Sequence, residues 1–276
     1  RRVHGEIDNE MESEKISSIC EILDEENELE SRDDTFSTVG DECLKVALER
    51  ENKMDQWKTQ KGAVFPESFR SSAISWILKT RNEHGFRLQT VYLAVMYFDR
   101  FLAKQAIHSS KGWEATFLAI TCFSLAAKME ETRVPLLTDY KSEYTFCKRT
   151  LQKMELLVLT RLEWKLIHVS PFFFLPHFQT RCGVAPSRDS ADMVCGFIVR
   201  LIREANLIHH RPSAIAAAAI AAAADTSLSR ESLKSMIVPM AKCGFPHFAE
   251  LKWRDDVFEC YSLMTNFVRY QNLAAA

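Results

Sequence analysis

Trp113-Glu-Ala-Thr-Phe-Leu-Ala-Ile-Thr-Cys-Phe-Ser-Leu-Ala-Ala-Lys128 is apolar around most of a helical circumference, with Phe117, Leu118, Ile120, Cys122, Phe123, Leu125, Ala126 and Ala127 on all sides. A helix with no face to offer water belongs at the centre of a bundle. On its N-terminal side, Phe69, Ala73, Trp76/Ile77 and Thr80 recur at three- and four-residue steps, and Gly85 stands where that helix should stop. Val91, Ala94/Val95, Phe98 and Leu102 then form one stripe of a second helix, with Lys104 near its end. On the C-terminal side, Pro135 precedes a short segment at residues 136–140, and Leu151, Met154, Leu157/Val158 and Leu162 mark a longer helix. A short leader with Leu44, Val46, Ala47 and Leu48 comes before all of these, interrupted by Lys61-Gly62 and Pro66.

Ser170-Pro171 is a boundary, because the residue before proline resists the α region. A second helical set follows, at residues 172–178, 190–204, 212–225, 229–243 and 253–270, punctuated by Gly183, Pro186, Arg211-Pro212 and Pro246. Pro212 suits a first helical position, and the alanines after it let neighbouring helices approach closely. That helix is expected at the centre of the second set. No alternation of period two is sustained, so the chain is read as all-α: two five-helix bundles, each wrapped on a central apolar helix. The domains expected are an acidic tail at 1–40, a first set with its leader at 41–169, and a second at 170–276.

Of 276 residues, 47% are hydrophobic, enough for cores of ordinary domain size. The net charge of −2 conceals an acidic head, with 16 Asp/Glu against 6 Lys/Arg in residues 1–50. Residues 1–40 are hydrophobically sparse and are expected to be mobile, because they cannot offset the entropy of ordering. The remaining positive charge is spread out, without the run of five to eight Lys/Arg that marks a nucleic-acid footprint. The eight cysteines lie apart and form no CxxC, which fits a reducing compartment. No apolar run reaches the ~20 residues needed to cross a bilayer. The chain opens on Arg1 rather than Met, so its natural start is expected upstream.

Phe69-Arg-Ser-Ser-Ala-Ile-Ser-Trp-Ile-Leu, Thr90-Val-Tyr-Leu-Ala-Val-Met-Tyr-Phe-Asp-Arg-Phe-Leu, Ser124-Leu-Ala-Ala-Lys-Met-Glu-Glu and Met154-Glu-Leu-Leu-Val-Leu occur in an order and spacing that resemble the cyclin box. Pro135-Leu-Leu, Leu162-Glu-Trp-Lys and Pro212-Ser-Ala-Ile-Ala-Ala-Ala are similar to the D-type cyclins of plants in particular. The resemblance implies a tandem cyclin fold and a regulatory, non-enzymatic chain, located in nucleus and cytoplasm, that binds and activates a cyclin-dependent kinase at G1/S. It implies kinase contacts at Lys128 and Glu155, framed by Met129, Leu159 and Leu166. Arg70 and Asp99 match a buried ion pair of architectural role. Phe69, Arg70, Ser72, Ala73 and Trp76 match a substrate-docking patch, expected to be degenerate because Ser72 and Ala73 replace larger apolar residues. A kinase inhibitor or a retinoblastoma-related protein is a further implied partner. The Leu-x-Cys-x-Glu motif that captures the latter is absent, its nearest text being Ser18-Ile-Cys-Glu-Ile22.

Residue chemistry alone leaves three alternatives beside this reading. Lys128 could be a helix-end lysine paired with Glu130 or Glu131. The whole chain could be a scaffold that binds a kinase without activating it, or a transcription-associated factor, although the latter needs a concentrated basic face. Catalysis has little support. Cys243/His247 and His177/Cys182 are the closest thiol–imidazole pairs in sequence, and no glycine-rich phosphate loop occurs, so no metal or cofactor is expected.

Overall fold

A computed structural model of the chain describes residues 43–52, 67–105, 112–183, 187–204, 207–241 and 251–275. Expectations for residues 1–40, for the break at Lys61-Gly62 and Pro66, and for Pro186, Pro246, Cys243 and His247 lie outside them. The helices are α1 (43–52), α2 (Glu67–His84), α3 (Leu88–Lys104), α4 (Gly112–Glu130), α5 (Lys148–Arg161), α6 (Pro171–Cys182), α7 (Arg188–Glu204), α8 (Pro212–Ala224), α9 (Arg230–Ala241) and α10 (Leu251–Ala275). Among the described residues there is no strand, and the architecture is all-α.

The first compact unit comprises Glu51–Ser170 and Ala205–His209. Gly85 ends α2 at φ 66, a conformation that strains a side-chain-bearing residue, and the Phe86 N–H donates back to the Arg81 carbonyl at 3.2 Å. The next helix, α3, is buried along most of its length. At the centre lies α4, with α2, α3 and α5 packed around it. Its apolar circumference is buried from Ala115 to Ala127 except for half-buried Phe117, and Thr116 and Thr121 satisfy their hydroxyls on carbonyls four residues back. Burying one leucine or phenylalanine in such a core contributes about 1.5–3 kcal/mol.

The segment at 136–140, expected as the short fifth member of this set, is a turn instead. Asp139 explains the difference. Its N–H donates to the Leu136 carbonyl at 2.9 Å while its carboxylate accepts the Leu136 N–H at 3.2 Å, so local bonds replace a helical ladder.

The second unit comprises Pro171–Glu204 and His210–Ala276, together with residues 43–50. At its centre is α8, with α6, α7, α9 and α10 around it. Arg211 caps α8 in extended conformation and Pro212 takes the first helical position, where its missing N–H costs nothing. Ala214 and Ala216–Ala219 are without exposure, so neighbouring side chains rest close to the α8 backbone. The buried Trp253 of α10 donates its indole N–H to the Ser213 hydroxyl at 3.0 Å. Tyr261 secures the exit from α8 by donating to the Asp225 carbonyl at 2.8 Å and accepting the Leu228 N–H at 3.0 Å.

Candidate functional site

Lys128 lies in the last turn of α4 and Glu155 in the middle of α5. Lys128 Nζ donates to Glu155 Oε1 at 2.6 Å, and the Ser124 hydroxyl, one turn before Lys128, donates to the same oxygen at 2.8 Å. Glu155 is 8% exposed, whereas the Lys128 side chain keeps 46% of its surface open. The carboxylate is therefore held in place from inside the bundle while the ammonium faces outward. This geometry differs from the helix-end alternative. Glu131 is engaged elsewhere, accepting the Thr90 hydroxyl and, at 2.9 Å, the Arg87 N–H, while burial raises the pKa of Glu130.

Met129, next to Lys128, and Leu156, next to Glu155, are exposed apolar residues, and Leu159 is half-buried one turn along α5. Past the end of α5 further apolar side chains are open. Trp164 and Ile167 are 65% and 72% exposed, with Leu166 half-buried between them. Large apolar side chains left open on the helix ends that carry a half-buried ion pair are features found at protein-docking surfaces. Trp164, Ile167 and Leu156 escaped the sequence reading because nothing in helical spacing says that an apolar residue past a helix end stays uncovered.

The segment after α5 is held by unusual means. Glu163 and Trp164 take φ of 56 and 57, the left-handed region, while their N–H groups donate to Thr160 O at 3.1 Å and Leu159 O at 2.9 Å. Non-glycine residues there cost roughly 1–2 kcal/mol each, so surrounding bonds must impose the conformation. Glu163 accepts Lys104 Nζ at 2.5 Å and Lys165 Nζ at 2.7 Å, which together hold its carboxyl at about 2. From α3, the Tyr97 hydroxyl donates to Leu166 O at 2.6 Å, and Arg100 Nη1 donates to Lys165 O at 2.9 Å and to His168 Nε2 at 2.7 Å. A guanidinium can only donate, so His168 Nε2 accepts, leaving Nδ1–H to donate to Leu166 O at 2.8 Å. His168 is therefore neutral. Burial, then the Arg100 charge, lowers its pKa from 6.5 to about 4.

A pH dependence follows from that shift. The groups facing His168 include the Arg100 cation, the Tyr97 ring at 5.8 Å, and the Leu166 carbonyl. Burial raises the Tyr97 pKa, so neither neighbour of His168 titrates in the acid range. Above 6.5 the imidazole is neutral whether the chain is folded or unfolded, and it adds no pH dependence. As pH falls from 6.5 towards about 4, the unfolded chain takes up a proton that the folded one refuses, and stability drops. The expected loss from this group between about pH 7 and about pH 5 is about 2 kcal/mol. Denaturant midpoints of the parent and of His168→Gln at both pH values check it; equal pH dependence in the two would refute it.

Of the residues matched to a substrate-docking patch, the structure leaves few open. Phe69 is 4% exposed, its ring 6.0 Å from that of Phe98, and Ala73 is 0% exposed. They lie four residues apart, on the stripe of α2 that faces the core. Arg70 is directed at Asp99, donating from Nε at 2.8 Å and Nη2 at 2.9 Å. Trp76 donates its indole N–H to Lys141 O at 3.0 Å, edge-on to Phe123 and Tyr140. Ser72 alone is fully exposed, and its hydroxyl donates to Ser68 O at 2.8 Å. Short Arg-x-Leu peptides should accordingly bind with a dissociation constant above roughly 1 µM, about −8 kcal/mol. Titration by fluorescence anisotropy tests this, and tighter binding would show an accommodating surface here.

Thiol chemistry is not assembled at Cys182. It donates to Met236 O at 3.9 Å and burial raises its pKa, while His177 packs on the Phe173 ring. Among the described residues no three His, Cys, Asp or Glu side chains converge to hold a metal ion, and no helix is long and apolar enough to cross a membrane.

Residues 42–167 match the family model of the cyclin N-terminal domain. Cyclin-D1-1 of Oryza sativa subsp. japonica is 41% identical over 172 residues, 60% of this chain and 47% of that protein. Cyclin-D5-1 of the same organism is 39% identical over 202 residues, 71% of this chain and 53% of that protein. Cyclin-D1-1 of Arabidopsis thaliana is 36% identical over 213 residues, with 71% and 58% covered. The chain spans about half the length of these curated relatives. Among solved structures, a viral cyclin from herpesvirus saimiri superposes with a TM-score of 0.56 at 16% identity, covering 76% of this chain and 89% of that one. A chain of the CAK complex from Chaetomium thermophilum bound to ATP-gamma-S gives 0.52 at 16% identity, covering 87% and 76%. At that identity the two structures show the shared fold alone.

Proposed function

Because this chain belongs to the cyclin family and is most like the plant D-type cyclins, we propose that it is a regulatory subunit that binds and activates a cyclin-dependent kinase to control cell-cycle progression at G1/S. The observation that carries this reading is the Lys128–Glu155 pair, secured from inside by Ser124, with exposed Met129 and Leu156 next to its members in the chain and exposed Trp164 and Ile167 past the end of α5. Such a surface offers a partner an apolar anchor with a polar centre, the arrangement in which a few residues supply most of the binding energy.

The chemistry then belongs to the kinase. Docking of the first lobe on the kinase's small lobe holds the regulatory helix of that lobe inward, completes the kinase's Lys–Glu pair and helps to order its activation loop. The cyclin contributes differential binding to the active conformation, which is what shifts the equilibrium. A kinase inhibitor or a retinoblastoma-related protein as additional partner, and residence in nucleus and cytoplasm, belong to the same proposal and rest on family likeness.

The test is reconstitution: purified chain titrated into a purified plant cyclin-dependent kinase, with binding and peptide phosphorylation read in parallel. Saturable binding accompanied by a rise in phosphorylation supports the proposal. Binding without a change in rate would make the chain a scaffold, and absence of binding would remove the kinase from its partners.

A further inference from the structure

We propose that Tyr97, Arg100 and His168 are positioning residues for partner docking: Tyr97 and Arg100 from α3, and His168 from just past Ile167, hold the segment Glu163–Ile167 so that Trp164 and Ile167 are presented, preformed, past the end of the helix that carries Glu155. The inference rests on the reading of the first lobe as the kinase-docking surface. Tyr97 and Arg100 lie three residues apart and share a face of α3, so one rigid helix supplies two anchors to successive carbonyls, those of Leu166 and Lys165. His168 completes the clamp by accepting from Arg100 and donating to Leu166 O.

Three observations set this apart from ordinary loop packing. The backbone at Glu163 and Trp164 occupies the left-handed region without glycine, which does not persist unless neighbouring bonds enforce it. Arg100 is buried, and from Nη1 it donates to a loop carbonyl and an imidazole, contacts that fix the path of the chain. The side chains at the tip of the held segment, Trp164 and Ile167, are large, apolar and uncovered. With Trp164 and Ile167 uncovered, ordering this segment gains the fold little apolar burial beyond half-buried Leu166. Ordering it in advance does remove an entropic cost from binding.

The experiment uses the full chain and a purified plant cyclin-dependent kinase. Dissociation constants are measured for Tyr97→Phe, Arg100→Lys and His168→Gln, each also combined with Trp164→Ala plus Ile167→Ala. Amide hydrogen exchange at residues 163–168 is followed in the free chain. Exchange at those amides should accelerate while α4 stays protected. Affinity should fall by about tenfold, and that penalty should shrink to less than about twofold once Trp164 and Ile167 are alanine, because the clamp acts through them. Tyr97→Phe keeps the ring and removes a single oxygen, so the test survives if Arg100→Lys fails to fold. Unchanged affinity despite a loosened segment, or an equal penalty in the alanine background, would overturn the positioning role. If the parent binds and Lys128→Ala weakens binding while the clamp variants do not, this inference alone is lost; if the parent does not bind at all, the kinase reading and the inference fall together.

Discussion

Lys128→Ala is expected to bind the kinase at least tenfold more weakly than the parent while melting within a few degrees of it. The ammonium is nearly half exposed in the free chain, and an exposed ion pair contributes about 0–1 kcal/mol to stability. Once a partner covers the surface, the same charge is desolvated at the centre of an interface, where truncating one member of a pair costs roughly 2–5 kcal/mol and each decade of affinity is roughly 1.4 kcal/mol. Glu155 needs a different substitution. Alanine would orphan the buried Ser124 hydroxyl along with Lys128, so Glu155→Gln, which keeps an oxygen for both, isolates the charge. Calorimetric titration and thermal melts on the same preparations separate the two effects. Parent-like affinity in Lys128→Ala would return this residue to an ordinary helix-end role.

Arg70→Ala should show the opposite order of damage, losing the fold of the first lobe first and binding only in consequence. Asp99 is 1% exposed and accepts Arg70 Nε, Arg70 Nη2 and the Leu207 N–H, the last at 3.1 Å. Removing the guanidinium leaves a buried carboxylate with a single backbone donor, a loss of roughly 3–5 kcal/mol against a total stability of roughly 5–15 kcal/mol for a domain. A denaturant midpoint lowered by that amount is the expected result. A variant with parent stability and impaired substrate docking would mean that Arg70 serves the surface and not the core.

Much of this structure was legible where a pattern is local. The all-round apolarity of 113–128 located α4, Pro212 located the start of α8, and Gly85 located the end of α2, because each depends on residues within a turn or two. The same i, i+4 logic accounts for the burial of Phe69 and Ala73. Pairings across the bundle were a different matter. Lys128 and Glu155 are 27 residues apart, and periodicity shows that each lies near a helix surface but not that the two meet. At 136–140 the apolar content suggested a helix, and the side chain of Asp139 decided for a turn. The left-handed pair at Glu163 and Trp164 carries no signal at all, since neither residue type favours that region and the enforcing groups come from 59 and more positions earlier in the chain.

The bond from Leu207 N–H to Asp99 bears on how the protein is made. Their separation of 108 residues means that Asp99 is made 108 residues before the donor that completes its set of partners exists. At roughly 5–20 residues per second that interval is roughly 5–20 s. Until Leu207 is made, Arg70 supplies the side-chain donors that Asp99 has in the finished fold, and the carboxylate lacks its backbone donor from 108 positions downstream.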